Sequence, residues 1–333
     1  MTILGIDISK KTFDATLIDD TGTRHHRQFA NTEQGFQQLG QWLNEHPVSD
    51  LHACMEATNV YWEDLAEHLY KHGYQVSVVN PVRTKGFAIS QLKRNKTDKV
   101  DSGVIADFCE RLSPRRWHPP SPERRQLRDL IRHIDALKKT RTQQINRMKT
   151  CGNPLVVSSL QTIIDALNAQ IADMETQIET LFRTHATLRE HRALLMSIKG
   201  IGATTATKLL AEMYDLGDYL NARAAAADGG LTPSHHESGS SVRRRSRLSK
   251  IGKASIRGAL YWPAITAMQH NPVIRDLKER LEQKGKHKNV IIGAAMRKLL
   301  HLAYGVLKNN TPFDANYGST SKAVSETCVH SLT

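Results

Sequence analysis

The chain is 333 residues long, 39% hydrophobic and 24% charged, with Lys+Arg 46 against Asp+Glu 33 and a formal net charge of +13. Those proportions exclude a disordered or fibrous chain and predict a soluble globular protein of two or three domains, each able to bury its own core. No apolar run approaches the roughly 18 residues of a membrane span, the N-terminus lacks a signal peptide's order, and four scattered cysteines without a CxxC pair exclude a disulfide scaffold or zinc ribbon. No membrane partner is expected, and a reducing cytoplasm is the expected compartment.

Residues 2–30 alternate as strands: ILGIDIS, then TFDATLI, a DDTGT turn, and a third run through Arg27–Ala30. A helix follows at about 32–46, with Phe36, Leu39, Trp42 and Leu43 on one face. A strand at Leu51–Met55, a helix at about 60–72 and a strand at Tyr74–Val79 complete a mixed α/β domain with the ribonuclease-H-like order. The breaker Trp117–Glu123, with Ser121 as N-cap and Pro122 at the first helical position, marks a domain boundary near residue 120.

Strands then disappear. Leu127, Leu130, Ile134 and Leu137 recur at 3,4,3 spacing, and Leu160, Ile164, Leu167, Ile171, Met174, Ile178 and Leu181 follow a 4,3,4,3,4,3 pattern after the break at Gly152. This is an a/d seam on two helices of roughly 45 Å. It pairs either as an antiparallel coiled-coil hairpin or between subunits. The expected fold class is therefore α/β plus all-α: a mixed-sheet domain over 1–120, a coiled coil over 121–190, a helical domain over 191–315 and a disordered polar tail over 316–333.

Asp7 interrupts the apolar strand Ile3–Ile8, Glu56 ends the strand after Ala53, and Asp98 and Asp101 stand at i, i+3 near the start of a helix. In the ribonuclease-H-like order the first strand, the fourth strand and the last helix converge at one end of the sheet. Four carboxylates there repel one another unless divalent cations lie between them. Hard oxygen donors and phosphate chemistry select Mg²⁺, with Mn²⁺ as the alternative.

The charge is uneven: residues 1–120 carry net −1, residues 121–190 net +3 and residues 191–333 net +11. Such concentration points to a polyanion held by the last part. Between 243 and 257 there are seven Lys/Arg and no acid. Arg243, Arg244, Arg245, Arg247, Lys250 and Lys253 are candidates to follow a nucleic-acid backbone, since guanidinium forks match phosphate oxygens. Upstream, Ser197-Ile198-Lys199-Gly200-Ile201-Gly202 reads as the turn of a helix–hairpin–helix, whose amides near Gly200 and Gly202 can grip a phosphate. Ser238 lies beside the arginine cluster, with His235, His236 and Glu237 as chain neighbours.

These residues together spell a family. Gly5-Ile6-Asp7, Met55-Glu56-Ala57-Thr58, Asn95-Lys96-Thr97-Asp98-Lys99-Val100-Asp101, the Ser197–Gly202 turn, Gly230-Leu231-Thr232-Pro233 and Glu237–Arg243 occur in the expected order. The chain resembles the DEDD transposases of bacterial insertion sequences, understood as bridge-RNA-guided serine recombinases. The resemblance implies a RuvC-like N-terminal domain, a coiled coil and a C-terminal transposase domain. It carries four metal-binding acids onto Asp7, Glu56, Asp98 and Asp101, and a nucleophile onto Ser238, through a transient phosphoserine link to DNA. It also implies donor and target double-stranded DNA as substrates, a noncoding guide RNA, and a tetramer built as a dimer of dimers, with activity on the bacterial nucleoid. Asn59 stands where relatives usually carry Gly, and Asn tolerates a left-handed backbone. The rival reading is a metal-dependent Holliday-junction-type endonuclease in which water attacks and Ser238 is a bystander.

Overall fold

Strand residues of the first part alternate between two faces, and along Thr2–Ile8, Thr12–Ile18 and Leu51–Glu56 both faces are covered. A computed structural model of the chain describes residues 2–48, 50–91, 98–213, 215–234, 237–238, 242–243 and 247–316; at 98, 99, 237, 238, 242 and 243 it describes the backbone alone. The chain divides into two compact units, Met1–Pro119 and Pro120–Thr333. The expected tail beyond residue 316 lies outside the described residues.

In the first unit the order is β1 (Thr2–Ile8), β2 (Thr12–Ile18), β3 (Arg24–Ala30), α1 (Glu33–Asn44), β4 (Leu51–Glu56), α2 (Glu63–Lys71), β5 (Gln75–Val79), α3 (Pro81–Ser90) and α4 (Asp98–Leu112). The sheet runs β3-β2-β1-β4-β5, antiparallel from β3 to β1 and parallel from β1 to β5. This mixed sheet agrees with the ribonuclease-H-like order. The β2–β3 turn is built around Asp19, whose carboxylate accepts from the Thr21 and Thr23 amides, the Thr21 hydroxyl and His25, while Gly22 supplies the positive φ of 82°.

Leu4, Ile6, Ile8, Ala53 and Met55 face a core shared with α1 and α2. Ile3, Ile18, Cys54 and Val79 face the other side, against Ile105, Ala106, Phe108 and Cys109 of α4. Alternation of period two thus sorts each strand between two helical layers. Gly5 lies on the α4 face, where an added Cβ would fall 2.3 Å from the backbone N of Ala106 and O of Ser102. No side chain fits between β1 and α4 at that point.

The second unit contains α5 (Pro122–Lys149), α6 (Pro154–Thr184), α7 (Ala186–Met196), α8 (Ala203–Glu212), a short 3-10 turn (Leu216–Asp218), α9 (Ala222–Asp228), the two-residue strands β6 (Pro233–Ser234), β7 (Glu237–Ser238), β8 (Val242–Arg243) and β9 (Arg247–Leu248), then α10 (Ala254–His270), α11 (Pro272–Gln283) and α12 (Lys288–Asn309). Helices α5 and α6 pack antiparallel within the chain, with Lys138 bonded to Glu175 at 2.7 Å and Arg141 to Asn168 at 2.9 Å. Leu160, Ile164, Ile171, Ile178 and Leu181 are buried along the seam. On α5 the buried apolar positions are Leu127, Ile131 and Ile134, with Leu130 and Leu137 half-buried, because α5 also meets α8 through Lys208 and Asp135 at 2.7 Å.

Two helices, α6 and α12, are long and apolar enough by length and composition to cross a membrane, which the sequence reading did not anticipate. Helix α12 spends its apolar residues in the core, where Ile291, Ile292, Met296, Leu299, Leu300, Ala303 and Val306 are buried. The apolar seam of α6 faces α5.

Candidate active site

Parallel pairing of β1 with β4 sets Ile6 opposite Met55. One residue further, Asp7 and Glu56 stand side by side at the carboxyl ends of their strands, about 4.8 Å apart in strand spacing. Both lie on the face covered by α4, the face of Gly5 and Cys54. The direction of α4 follows from its contacts. Asp107 pairs with Arg24 at 2.6 Å and Cys109 meets the His52 carbonyl at 3.9 Å, both near the start of β1 and β4. Ser102 bonds Thr16, opposite Gly5, at 2.8 Å. The helix therefore runs antiparallel to β1, and its N-terminal turn, with Asp98 and Asp101, lies towards the Asp7 end.

A fifth carboxylate belongs to this face, and sequence reasoning missed it. Asp14 of β2 is directly opposite Asp7 and nearly buried, held by His26 at 2.9 Å and Gln28 at 2.9 Å. In TFDATLI its polarity reads as an ordinary outward position; only the register with Asp7 brings the two together. Glu56 accepts a hydrogen bond from the buried Thr84 hydroxyl of α3, which fixes its orientation. At the strand spacing two ionised carboxylates repel by about 3 kcal/mol at an effective dielectric of 20. This all-oxygen, anionic set suits a hard divalent cation. Among the described side chains no three His, Cys, Asp or Glu stand close enough to hold a metal ion by themselves, and the side chain of Asp98 lies outside the described residues.

Asn59, just beyond Glu56, adopts φ 52°, and its carbonyl accepts from the Trp62 indole at 3.0 Å. The left-handed conformation expected where relatives carry Gly is present. At the far end of α4, Cys54 and Cys109 are buried neighbours, and the Cys109 thiol donates to the His52 carbonyl at 3.9 Å; the contact between the two thiols holds Cys109 below the usual thiol range and pushes Cys54 up.

In the second unit Ser238 occupies a narrow antiparallel ribbon. Pro233 and Ser234 pair with Leu248 and Arg247, and Glu237 and Ser238 pair with Arg243 and Val242. The ribbon leaves the helical core through a glycine crossing. Gly230 has φ 66° and Gly252 φ 125°, and a Cβ on Gly252 would lie 2.6 Å from the Gly230 nitrogen and 2.3 Å from the Asp228 carbonyl. Leu231 is fully buried beside it, and its carbonyl accepts from Arg297 at 3.4 Å. His235, His236, Arg244 and Arg245 lie outside the described residues, as do the side chains of Glu237, Ser238 and Arg243.

The other basic candidates divide by environment. Arg247 and Lys250 are exposed, and Lys250 has φ 58°. Lys253 is instead tied into the fold: its ammonium pairs with Asp228 at 3.0 Å and donates to the Glu212 carbonyl at 2.8 Å, while Tyr219 holds Asp228 at 2.6 Å. Gly200, with φ 107°, packs against Ala267, whereas Gly202 caps α8 and has open space around its Cα. The open helix N-terminus is at Gly202, not Gly200.

Residues 4–151 match a DEDD-type transposase family model, and residues 192–279 match the model described as transposase, IS116/IS110/IS902 family. The chain is similar to the pilin gene-inverting protein of Moraxella bovis, 35% identical over 316 residues that cover 94% of this chain and 98% of that protein. It is 26% identical to the transposase for insertion sequence element IS1328 of Yersinia enterocolitica, over 94% and 98% of the two chains. Similarity to the transposase for element IS1111A of Coxiella burnetii is 24% over 86% and 84%. With both units matched and a relative more than one-third identical from end to end, the chain belongs to the IS110 family of transposases, enzymes that act on DNA.

Proposed function

We propose that the protein exchanges strands between two double-stranded DNAs, with Ser238 as nucleophile and the choice of DNAs made by a noncoding guide RNA. The observation that carries the reading is the placement of Asp7 and Glu56 at adjacent strand ends beneath the N-terminal turn of α4. Asp7, Glu56, Asp98 and Asp101 would hold Mg²⁺, which supplies charge neutralisation and Lewis acidity at the phosphate. The Ser238 oxygen forms a bond to phosphorus as the bond to the leaving strand breaks. The serine proton passes to a neighbouring base, and the departing sugar oxygen takes up a proton. A hydroxyl of the second DNA then attacks the phosphoserine, restoring a phosphodiester and freeing Ser238. Two transesterifications conserve the bond energy, so no nucleotide hydrolysis is required.

Exposed Arg247 and Lys250 hold the backbone near the ribbon, and base pairing by the RNA supplies sequence choice. The same chemistry serves gene inversion and transposition, the two activities named for the relatives; they differ in whether both sites lie on one DNA. The protein works as a homo-oligomer, since two DNAs must be cut in concert. The test is strand exchange reconstituted with donor DNA, target DNA, Mg²⁺ and the element's flanking noncoding RNA. Recombinant product that depends on the RNA and is abolished by Ser238→Ala supports the reading. Mg²⁺-dependent cleavage unchanged by Ser238→Ala would sink it in favour of a water-using nuclease.

A further inference from the structure

Helix α10 carries an aromatic pair that the core does not use. Trp262 is 71% exposed and Tyr261 42%, and their rings meet edge to face with centroids 5.4 Å apart. A Cβ added at Gly258, one turn earlier on the helix, would meet nothing within 4 Å, so the helix surface there is open. Pro263 lacks the N–H that would bond the Ala259 carbonyl, which frees an acceptor for a donor from outside the helix. The chain segment that carries the pair is basic, with Arg247, Lys250, Lys253 and Arg257 and no acid between residues 247 and 270. Of these, Arg247 and Lys250 are exposed, and Arg257 donates to the Gly252 carbonyl at 3.2 Å. An exposed aromatic pair carried on a basic, acid-free segment suits a nucleobase attached to a phosphate backbone.

We propose that the Tyr261–Trp262 shelf stacks on an unpaired base of nucleic acid, such as one exposed when a duplex opens for strand exchange. This rests on the reading of the basic second unit as the part that holds nucleic acid. Stacking is tolerant of sequence, so it fits a protein that leaves sequence choice to an RNA. Base unstacking during exchange costs free energy that such a shelf would offset.

The full chain is titrated with a fluorescently labelled single-stranded thymidine oligonucleotide and with a duplex of the same length. Trp262→Ala is expected to weaken single-strand binding by about 5- to 150-fold, the effect of losing one aromatic–base stack. Trp262→Phe should restore most of that loss, and duplex affinity should change by less than about two-fold. Tryptophan fluorescence should be quenched by the oligonucleotide in the parent and not in Trp262→Phe, whose remaining tryptophans, Trp42, Trp62 and Trp117, lie in the first unit. Unchanged single-strand affinity in Trp262→Ala overturns the proposal. So does a lower oligomeric mass of that variant without nucleic acid, which would assign the shelf to a second copy of the chain. No step of the measurement involves strand cleavage, so its failure is distinct from failure of the Ser238 reading.

Discussion

Replacing Gly5 with alanine tests how the fold builds the acidic end of the sheet. The new methyl would stand 2.3 Å from the Ala106 nitrogen and Ser102 oxygen and 2.7 Å from the Ala106 Cα. All three are backbone atoms, so no rotamer change relieves the contact. Reaching ordinary van der Waals distance requires α4 to lift from β1 by about 1 Å. Overpacking of this kind costs roughly 1–3 kcal/mol. The same movement carries Asp98 and Asp101 away from Asp7 and Glu56, and a displacement of about 1 Å in a catalytic constellation can reduce rate by about 10²-fold. Urea denaturation and Mg²⁺-dependent DNA strand exchange, measured at equal folded concentration, read the two effects separately. Gly40→Ala is the control: it lies in α1 with open space around it, and it should gain up to about 1 kcal/mol from helix propensity. If Gly5→Ala matches the parent in both stability and activity, then contact between β1 and α4 does not set the site.

Gly252→Ala forces a methyl against the Asp228 carbonyl and Gly230 nitrogen at φ 125°; it should cost about 1–3 kcal/mol and increase hydrogen exchange at Leu231 and Ser249 while leaving the first unit's amides unchanged. Asn59→Gly should be neutral, because φ 52° suits glycine, whereas Asn59→Val should lose about 1–2 kcal/mol in thermal melts. His301 on α12 is lowered to about 4, first by burial and then by Arg297, Lys298 and Arg223. The unfolded chain takes up that proton near pH 6.5, so this stabilisation is complete above about 6.5 and is lost as pH falls towards 4. Full conversion would give about 3 kcal/mol; partial exposure reduces it to roughly 1–2 kcal/mol, and His301→Gln should flatten that part of the stability–pH profile.

The central strands were legible because they are sorted between two apolar layers, which writes a period of two into ILGIDIS and TFDATLI; the edge strand β3 buries only Phe29. Asp7 was legible for the same reason: a carboxylate among isoleucines demands a partner. Asp14 was not, since only strand register places it opposite Asp7. Helix α3 escaped notice because it buries little besides Thr84 and so shows weak periodicity. The long helical seam was plain, yet α5 also packs on α8, which shifts its burial to Leu127, Ile131 and Ile134. Lys253 reads in sequence as one of a row of backbone-holding cations. Its ion pair with Asp228 and bond to the Glu212 carbonyl depend on contacts between distant segments, which no local pattern encodes. Trp262 carries no signal in sequence beyond its type; its meaning comes from exposure.

A covalent link between Ser238 and DNA separates the proposed recombinase from a water-using nuclease. The direct measurement is mass spectrometry of the protein after denaturation and nuclease digestion, from a reaction with both DNAs, Mg²⁺ and the flanking RNA. A nucleotide remnant is expected on the peptide containing Ser238, absent from Ser238→Ala and diminished in Asp7→Asn and Glu56→Gln. Recombinant product formed with no modified peptide, or with the remnant on another residue, would contradict it.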